Sequence, residues 1–200
     1  MKILLVDDHT LFAKSLEIAL SDHEDIEEFR IANDVKNLES YFTPELPDVL
    51  LMDINLGKMY EQDGLLLSRR LLMDHPSLNI VILSGYDLPL YRQEARRLGA
   101  KAFVNKDIAP EELIRILRAV ANGKTRFPKE SLTLEELTET EQKILRLASE
   151  GTKRKEIADM LFLSERTVFN HLQHTFDKLQ VSSTVEAVTK AIKLGYLPPL

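Results

Sequence analysis

The stretch Lys2-Ile-Leu-Leu-Val-Asp-Asp-His9 decides the fold class, and Val49-Leu-Leu-Met-Asp53 repeats its pattern. Each is a short apolar run that ends in acidic side chains. Apolar runs of this length, bounded by polar residues, are typical of strands that are covered on both faces of a parallel sheet. Further runs of the same kind lie at Phe29–Ala32, Ile80–Leu83 and Ala102–Val104. The N-terminal part of the chain therefore contains five candidate strands.

Segments with helical periodicity separate these runs, near residues 10–21, 34–42, 64–75, 88–98 and 110–121. Thr10 can cap the first helix, and Pro110-Glu111-Glu112 is a favourable start for the last. Strands that alternate with helices form βα units, which build a parallel sheet with helices on both faces. We predict a five-stranded, parallel, doubly wound α/β domain over residues 1–122.

The pattern changes after Asn122-Gly123-Lys124. Gly123 can end the preceding helix, and the polar composition that follows predicts a linker over residues 123–136. From Leu137 onward only helical patterns occur, and Thr138 with Glu141 has the spacing of a capping box. The predicted helices span 139–150, 154–161, from the turn at Ser164 to 179, and 184–194. We predict an all-α, four-helix domain over residues 137–200.

Composition and charge exclude several classes of protein. The chain has 200 residues, 44% of them hydrophobic and 29% charged, which is a globular rather than a disordered balance. The absence of cysteine excludes disulfides, thiolate metal sites and a cysteine nucleophile. No apolar run approaches the ~20 residues that cross a bilayer, and no secretory signal follows Met1. We therefore expect a cytoplasmic protein without membrane association.

Polar side chains follow the predicted strands at their carboxyl ends. Asp7 and Asp8 follow the first strand, Asp53 ends the third, Ser84 ends the fourth and Lys106 follows the fifth. Open α/β sheets bind ligands at these ends. An isolated acidic pair there is usually a solvated loop, but such groups at successive strand ends favour a shared site. Clustered carboxylates need a cation, and Mg²⁺ prefers oxygen ligands of this kind.

Residues 1–121 resemble a response-regulator receiver domain. The resemblance rests on Lys2-Ile-Leu-Leu-Val-Asp-Asp-His9, Leu50-Leu-Met-Asp-Ile-Asn55, Ile82-Leu-Ser-Gly85 and Gly99-Ala-Lys-Ala-Phe-Val-Asn-Lys106. It implies the flavodoxin-like receiver fold and a phosphoryl acceptor at Asp53. It also implies that Asp8, Asp53 and the backbone carbonyl of Asn55 ligate Mg²⁺, with Asp7 holding the ion through water.

The same resemblance assigns a switch. Lys106 would pair with the acylphosphate oxygens, Ser84 would hydrogen-bond one of them, and Phe103 would be the switch aromatic that turns inward as Ser84 moves. His9 is expected to be a surface or capping residue, because the donor histidine should belong to a partner sensor histidine kinase. Phosphorylation adds roughly −1.5 to −2 charge, which biases the protein between two arrangements.

The loop from Ile54 to Gly64 departs from the family pattern. It is longer than usual and has Gly57 near the place where a proline is common. The loop borders the predicted phosphate site, so it bears on Mg²⁺ affinity and on the lifetime of the phosphorylated form. An inert surface loop that carries Lys58 and Glu61 is the alternative that we favour.

Residues 154–179 have the spacing of a helix-turn-helix, with Ile157, Val168 and Leu172 in its apolar stripe. The remaining surface offers side chains that suit DNA: Lys153, Arg154, Arg166, Asn170, Gln173, His174 and Lys178. Amide side chains in the major groove can bind adenine edges, and cations hold phosphates. A small helical unit of this composition serves equally well as a protein-interaction module, so the pattern alone leaves both open.

The motifs Leu137-Thr-Glu-Thr-Glu141, Lys155-Glu-Ile-Ala158 and Leu163-Ser-Glu-Arg-Thr-Val168 are similar to the LuxR-type helix-turn-helix. The whole chain thus resembles the NarL/FixJ subfamily of response regulators. This implies a transcription regulator that binds an inverted repeat of double-stranded DNA. The implied base-facing residues are Phe169, Asn170 and Gln173, with Thr167 and Arg166 on phosphates.

The resemblance also implies a homodimer when phosphorylated. The last helix would form its interface through the stripe Val185, Val188, Ala191 and Ile192, although half of that stripe can equally be core. The chain departs from the family at Phe169, where lysine is common, at Thr175, where an aliphatic residue is usual, and at Thr184, where arginine is frequent.

Two other functions fit parts of the sequence. A Mg²⁺-dependent phosphohydrolase would also use strand-end aspartates and a lysine, and a phosphorylation-independent interaction protein would keep a vestigial acidic crevice. We expect no metabolic enzyme: the only catalysis predicted is the chain's own Mg²⁺-dependent phosphoryl transfer and hydrolysis.

Overall fold

The computed structural model describes residues 1–21, 23–32, 35–57, 63–128 and 136–198. Lys58, Glu61 and half of the predicted linker, residues 129–135, lie outside the described residues. The chain divides into two compact units, an N-terminal α/β unit and a C-terminal helical unit. Each is described by itself.

A five-stranded parallel sheet forms the centre of the N-terminal unit, as predicted. Its strands are β1 (Lys2–Val6), β2 (Glu28–Ile31), β3 (Val49–Asp53), β4 (Ile80–Ser84) and β5 (Ala102–Asn105). They pair in the order β2-β1-β3-β4-β5, all in parallel. This is the doubly wound order in which the connection reverses direction between β1 and β3, and ligands bind at that crevice.

Four helices cover the two faces of the sheet: α1 (Thr10–Ser21), α2 (Gly64–Asp74), α3 (Pro89–Leu98) and α4 (Pro110–Ala121). Alternate strand residues enter opposite apolar clusters, with Leu50 and Met52 on one face and Val49 and Leu51 on the other. Every residue of β3 and β4 is buried because both faces are covered. The burial explains why these runs are apolar throughout.

The segment predicted as a helix over 34–42 is different in the structure. Of its described residues, 35–42, only Leu38–Phe42 is helical, and it is a short 3-10 helix whose Leu38 and Phe42 are buried. Pro44 follows it closely and cannot continue a helix, because proline lacks the backbone N–H and its ring clashes with the preceding turn. The two buried side chains hold the segment against the sheet without a full α-helix.

The start of the predicted linker packs on the α/β unit. Residues 125–128, here called the edge strap, lie beside β5, where Arg126 pairs with Ala102 in a parallel bridge. The Arg126 N–H donates to the Lys101 carbonyl at 2.7 Å, and the Phe103 N–H donates to the Arg126 carbonyl at 3.4 Å. Phe127 packs against the core, with the Arg96 guanidinium 4.9 Å from its ring centroid. The edge strap is therefore part of the folded α/β unit.

The C-terminal unit consists of the four predicted helices, α5 (Glu139–Ser149), α6 (Arg154–Leu161), α7 (Glu165–Leu179) and α8 (Thr184–Leu194). The predicted capping box is confirmed: the Thr138 N–H donates to Glu141 Oε2 at 2.7 Å, and the Glu141 N–H donates to Thr138 Oγ1 at 3.3 Å. Among the described residues, no helix combines the length and apolar character needed to span a membrane.

Candidate functional site

Three carboxylates meet at the carboxyl edge of the sheet, in what we call the acidic crevice (Asp7, Asp8 and Asp53). The register of the neighbouring strands pairs Val6 with Met52, so the acids that follow these residues reach the same level. One oxygen from each carboxylate and the Nδ1 atom of His9 all lie within 4.8 Å of one another. The strand order thus brings together residues that are far apart in the chain.

Lys106 reaches this crevice from the end of β5. Its Nζ atom lies 2.8 Å from Asp7 Oδ2 and 2.8 Å from Asp53 Oδ2. The Lys106 backbone N–H donates to the Ser84 carbonyl at 2.9 Å, which fixes the turn, and the ring of Phe12 lies 4.9 Å from Nζ. One half-buried cation therefore neutralises part of the charge of two carboxylates.

Asp53 is the most enclosed member of the crevice, with 1% of its surface exposed. Burial raises the pKa of the Asp53 carboxyl above its ordinary value, because a low-dielectric environment disfavours the charged form. The hydrogen bond from Lys106 acts in the opposite direction, and the charge of Asp7 adds to the rise. An ionised Asp53 thus depends on nearby positive charge.

The donor set of the crevice fits a hard divalent cation. Asp7 Oδ2 and Asp53 Oδ2 are buried and share the ammonium of Lys106 at 2.8 Å, and the buried Asp8 Oδ1 has His9 Nδ1 beside it at 2.9 Å. Three clustered carboxylates with one ammonium between them keep an excess of negative charge, which is costly to bury. An ion that takes carboxylate oxygens as ligands would satisfy all three, and Mg²⁺ is such an ion.

His9 has a closer relation to the crevice than the sequence suggested. Its side chain is 55% exposed, which agrees with a surface residue. Its backbone N–H donates to Asp7 Oδ1 at 2.8 Å, however, and its Nδ1 atom lies 2.9 Å from Asp8 Oδ1. The ring therefore forms one rim of the acidic crevice, a contact that residue spacing alone does not indicate.

Two glycines allow the chain after β3 to approach the acids. Gly57 has a φ of +44°, and a Cβ added there would lie 2.2 Å from Asp8 Oδ2. A Cβ on Gly64 would lie 1.9 Å from the Asp53 carbonyl oxygen. A side chain would clash at either position, and at Gly57 the positive φ adds backbone strain.

The two residues that were predicted to form the switch lie on β4 and β5. The Ser84 hydroxyl donates to the Tyr86 carbonyl at 2.7 Å and accepts from the Tyr86 N–H at 3.0 Å. Phe103 is 3% exposed and belongs to the core. The structure thus shows Phe103 turned inward while the Ser84 hydroxyl is bound to the chain that follows it.

The helix-turn-helix is formed by α6 and α7, with Ile157, Val168 and Leu172 buried in its core. Ser164 caps α7, since its hydroxyl accepts from the Thr167 N–H at 3.1 Å. Most of the residues expected to face DNA are exposed: Lys153, Arg154, Arg166, Phe169, Asn170, Gln173 and His174. Thr167 is half-buried, and its hydroxyl lies 2.8 Å from Ser164 Oγ.

Lys178 has partners within the C-terminal unit. Its ammonium donates to Glu141 Oε2 at 2.8 Å and to the Glu136 carbonyl at 3.0 Å. Burial of Glu141 alone would raise the pKa of its carboxyl, but the hydrogen bonds from Lys178 and Thr138 outweigh burial and lower it. Lys178 lies in the last turn of α7, far from the end that Ser164 caps.

The apolar stripe predicted on α8 is largely core. Ala191 is fully buried, and Val188 and Ile192 pack on the same cluster as Leu145. Val185 differs, because 77% of its surface is exposed beside a shallow depression of ≈ 400 Å³. Core packing, the alternative to a dimer interface, therefore accounts for most of the stripe.

Two family models match the chain in the two units just described. The response regulator receiver domain matches residues 3–118, and the luxR family of bacterial regulatory proteins matches residues 135–191. The second match decides between the DNA-binding and the protein-interaction alternatives for the helical unit.

Similar proteins align with this chain over nearly its whole length. The transcriptional regulatory protein YhcZ of Bacillus subtilis is 31% identical, with 96% of each chain covered. The oxygen regulatory protein NreC of Staphylococcus carnosus is 30% identical, with coverage of 96% and 97%. A solved structure of RcsB from Salmonella enterica serovar Typhimurium bound to promoter P1flhDC with BeF3⁻ has a TM-score of 0.69 at 25% identity, with coverage of 95% and 97%. The chain therefore belongs to the response regulators of two-component systems that join a receiver domain to a LuxR-type DNA-binding domain.

Proposed function

We propose that this response regulator accepts a phosphoryl group on Asp53 from a partner sensor histidine kinase. The observation that carries the proposal is the environment of Asp53, a buried carboxylate with Lys106 at 2.8 Å and two further acids beside it. Asp53 lies at the switch point of the sheet, where α/β proteins bind their ligands.

In this proposal a carboxylate oxygen of Asp53 attacks the phosphorus of a phosphohistidine. A P–O bond forms, the P–N bond breaks, and the imidazole leaves with the electron pair. Lys106 pairs with a phosphoryl oxygen. Asp8, Asp53 and the Asn55 carbonyl would hold Mg²⁺, with Asp7 acting through water, and the ion supplies positive charge to the transferring group. The same groups would serve the chain's own hydrolysis of the acylphosphate.

The switch would start at Ser84. Its hydroxyl would exchange the Tyr86 carbonyl for a phosphoryl oxygen, and the inward Phe103 seen here would be stabilised in its place. Phosphorylation only shifts a population, and a hundredfold shift needs about 2.7 kcal/mol of differential stabilisation. One hydrogen bond of Ser84 changes its acceptor in this step: a neutral hydrogen bond contributes about 1 kcal/mol, and one to a charged group about 1.5–3 kcal/mol.

The output would be transcription control in the cytoplasm, through a homodimer on an inverted repeat. The N-terminal half of α7 would enter the major groove, with Phe169, Asn170 and Gln173 towards base edges. Phosphate contacts would come from the surrounding polar side chains Lys153, Arg154, Arg166, Thr167 and His174. Two-fold symmetry then sets the half-sites about one helical turn, ~34 Å, apart.

The test compares wild type, Asp53→Asn and Asp74→Asn, with acetyl phosphate and Mg²⁺. Asp74 is an exposed acid at the end of α2 and serves as the matched control. We expect a labile adduct of one phosphoryl group on wild type and on Asp74→Asn only, together with dimerisation and tighter DNA binding. No adduct on wild type from an active cognate donor, or equal DNA affinity and mass in all samples, would contradict the proposal.

A further inference from the structure

The recognition face of α7 includes one aromatic side chain among polar ones. Phe169 is 43% exposed, next to the buried Val168 and the exposed Asn170. A single exposed apolar residue needs no explanation by itself. Phe169 differs from such a residue because a cationic side chain of the neighbouring helix lies over its ring.

That cation is Arg154, in the first turn of α6. Its guanidinium carbon lies 5.6 Å from the centroid of the Phe169 ring. This is within the ~6 Å at which an arginine is attracted to an aromatic face. The guanidinium lies over one face of the ring, and 43% of the surface of Phe169 stays exposed.

We propose that Phe169 recognises the methyl group of a thymine and that Arg154 is the positioning residue that holds its ring for this contact. The proposal rests on the placement of α7 in the major groove proposed above. The thymine methyl is the one apolar group that base pairs present in that groove, and aromatic side chains make contact with it. Phe169 lies beside two exposed amide side chains. Its apolar ring matches the thymine methyl better than it matches any hydrogen-bonding base edge.

Arg154 would have a second role in the same arrangement. A guanidinium that lies over an aromatic ring keeps N–H donors for other partners, so Arg154 can bind a backbone phosphate while it contacts the ring. Lysine lacks the planar group and would keep the charge without the same stack. The pair therefore couples one base contact to one phosphate contact.

The experiment isolates the methyl group. Selection from a random duplex library with the full-length, phosphorylated protein gives a binding site, and each thymine in it is then replaced by deoxyuridine, which changes only the methyl. We expect one thymine per half-site at which the replacement lowers affinity about fourfold, equivalent to ~0.8 kcal/mol for one methyl-sized group at 1.4 kcal/mol per tenfold. Phe169→Ala should bind thymine and deoxyuridine equally at that position.

A second set of variants tests the role of Arg154. Arg154→Ala should lower both the thymine preference and the slope of log affinity against log salt, the slope by about one counterion. Lys155→Ala is the matched control, because Lys155 is the adjacent exposed cation on α6 and has no ring contact among the described residues. It should leave the thymine preference unchanged. Arg154→Lys should keep the salt slope and lose part of the preference.

Three results would overturn the inference: equal affinity for thymine and deoxyuridine at every position, a selected site without a thymine there, or a full thymine preference in Phe169→Ala. Failure of the underlying function is separate, since selection would then give no enriched site with wild type. Thermal unfolding of Phe169→Ala identifies a folding defect, which the exposure of Phe169 makes unexpected.

Discussion

Gly57 lies where the chain that leaves β3 comes closest to the carboxylate of Asp8. Gly57→Ala would strain a backbone with positive φ by about 1–2 kcal/mol and would push the carboxylate away. We expect weaker Mg²⁺ binding, about tenfold by calorimetry, and slower phosphorylation from acetyl phosphate. Gly123→Ala is the control, because Gly123 also has positive φ but open space around it. An equal loss of Mg²⁺ affinity in both variants would contradict the contact.

The pKa of Asp53 predicts a pH dependence of stability. Because burial raises this pKa in the folded state, the native protein holds a proton that the unfolded chain has lost, and stability falls as pH rises through that interval. Asp53→Asn should therefore be more stable than wild type at neutral pH, and the difference should vanish below the ordinary aspartate pKa. Thermal unfolding in EDTA from pH 3.5 to pH 8 measures it, and a constant difference would count against the effect.

Sequence reasoning predicted the acids and Lys106 as a group, because strand ends in a parallel sheet share one edge. It did not predict the position of the His9 ring, which depends on the turn that follows β1. It also did not predict the partner that Lys178 has within the C-terminal unit. Its charge suggested DNA, whereas the buried Glu141 that binds it lies on another helix.

Lys178 also makes a prediction about elements, since it joins α7 to the start of α5. Lys178→Ala would leave the buried Glu141 carboxylate with fewer hydrogen bonds, which costs about 1–3 kcal/mol. Chemical denaturation should show this loss, and the salt slope of DNA binding should stay unchanged. Lys153→Ala is the comparison: it should lower the salt slope of DNA binding and leave the stability unchanged. A slope that falls by about one in Lys178→Ala with no loss of stability would restore the original expectation.

At the scale of elements, the strands and capped helices were predictable because their signals are local. The apolar runs β1, β3 and β4 and the Thr138 cap needed no knowledge of the rest of the chain. The segment at 34–42 and the edge strap were not predictable, because each takes its form from the sheet on which it packs. Tertiary contact decided both.

For the whole molecule, the exposed Val185 marks where a second copy could pack. If α8 forms the dimer interface, Val185→Arg would place a charge in an apolar contact and should lower affinity for an inverted repeat by at least tenfold, with little effect on a single half-site. Sedimentation of the phosphorylated protein and gel shifts on both duplexes test this. Met73→Arg, an equally exposed apolar position on α2, is the control.

A dimer that persists in Val185→Arg would place the interface elsewhere. Loss of binding to the single half-site as well would point to damage to the helical unit.

The edge strap has a consequence for anyone who excises the receiver. Without residues 125–128, the outer side of β5 would present unpaired backbone groups, including the Phe103 N–H and the Lys101 carbonyl. An exposed strand edge of this kind can pair with a strand of another molecule, which leads to aggregation. A fragment cut after residue 122 should therefore self-associate. A fragment that ends at residue 128 keeps the edge strap, which covers the outer side of β5.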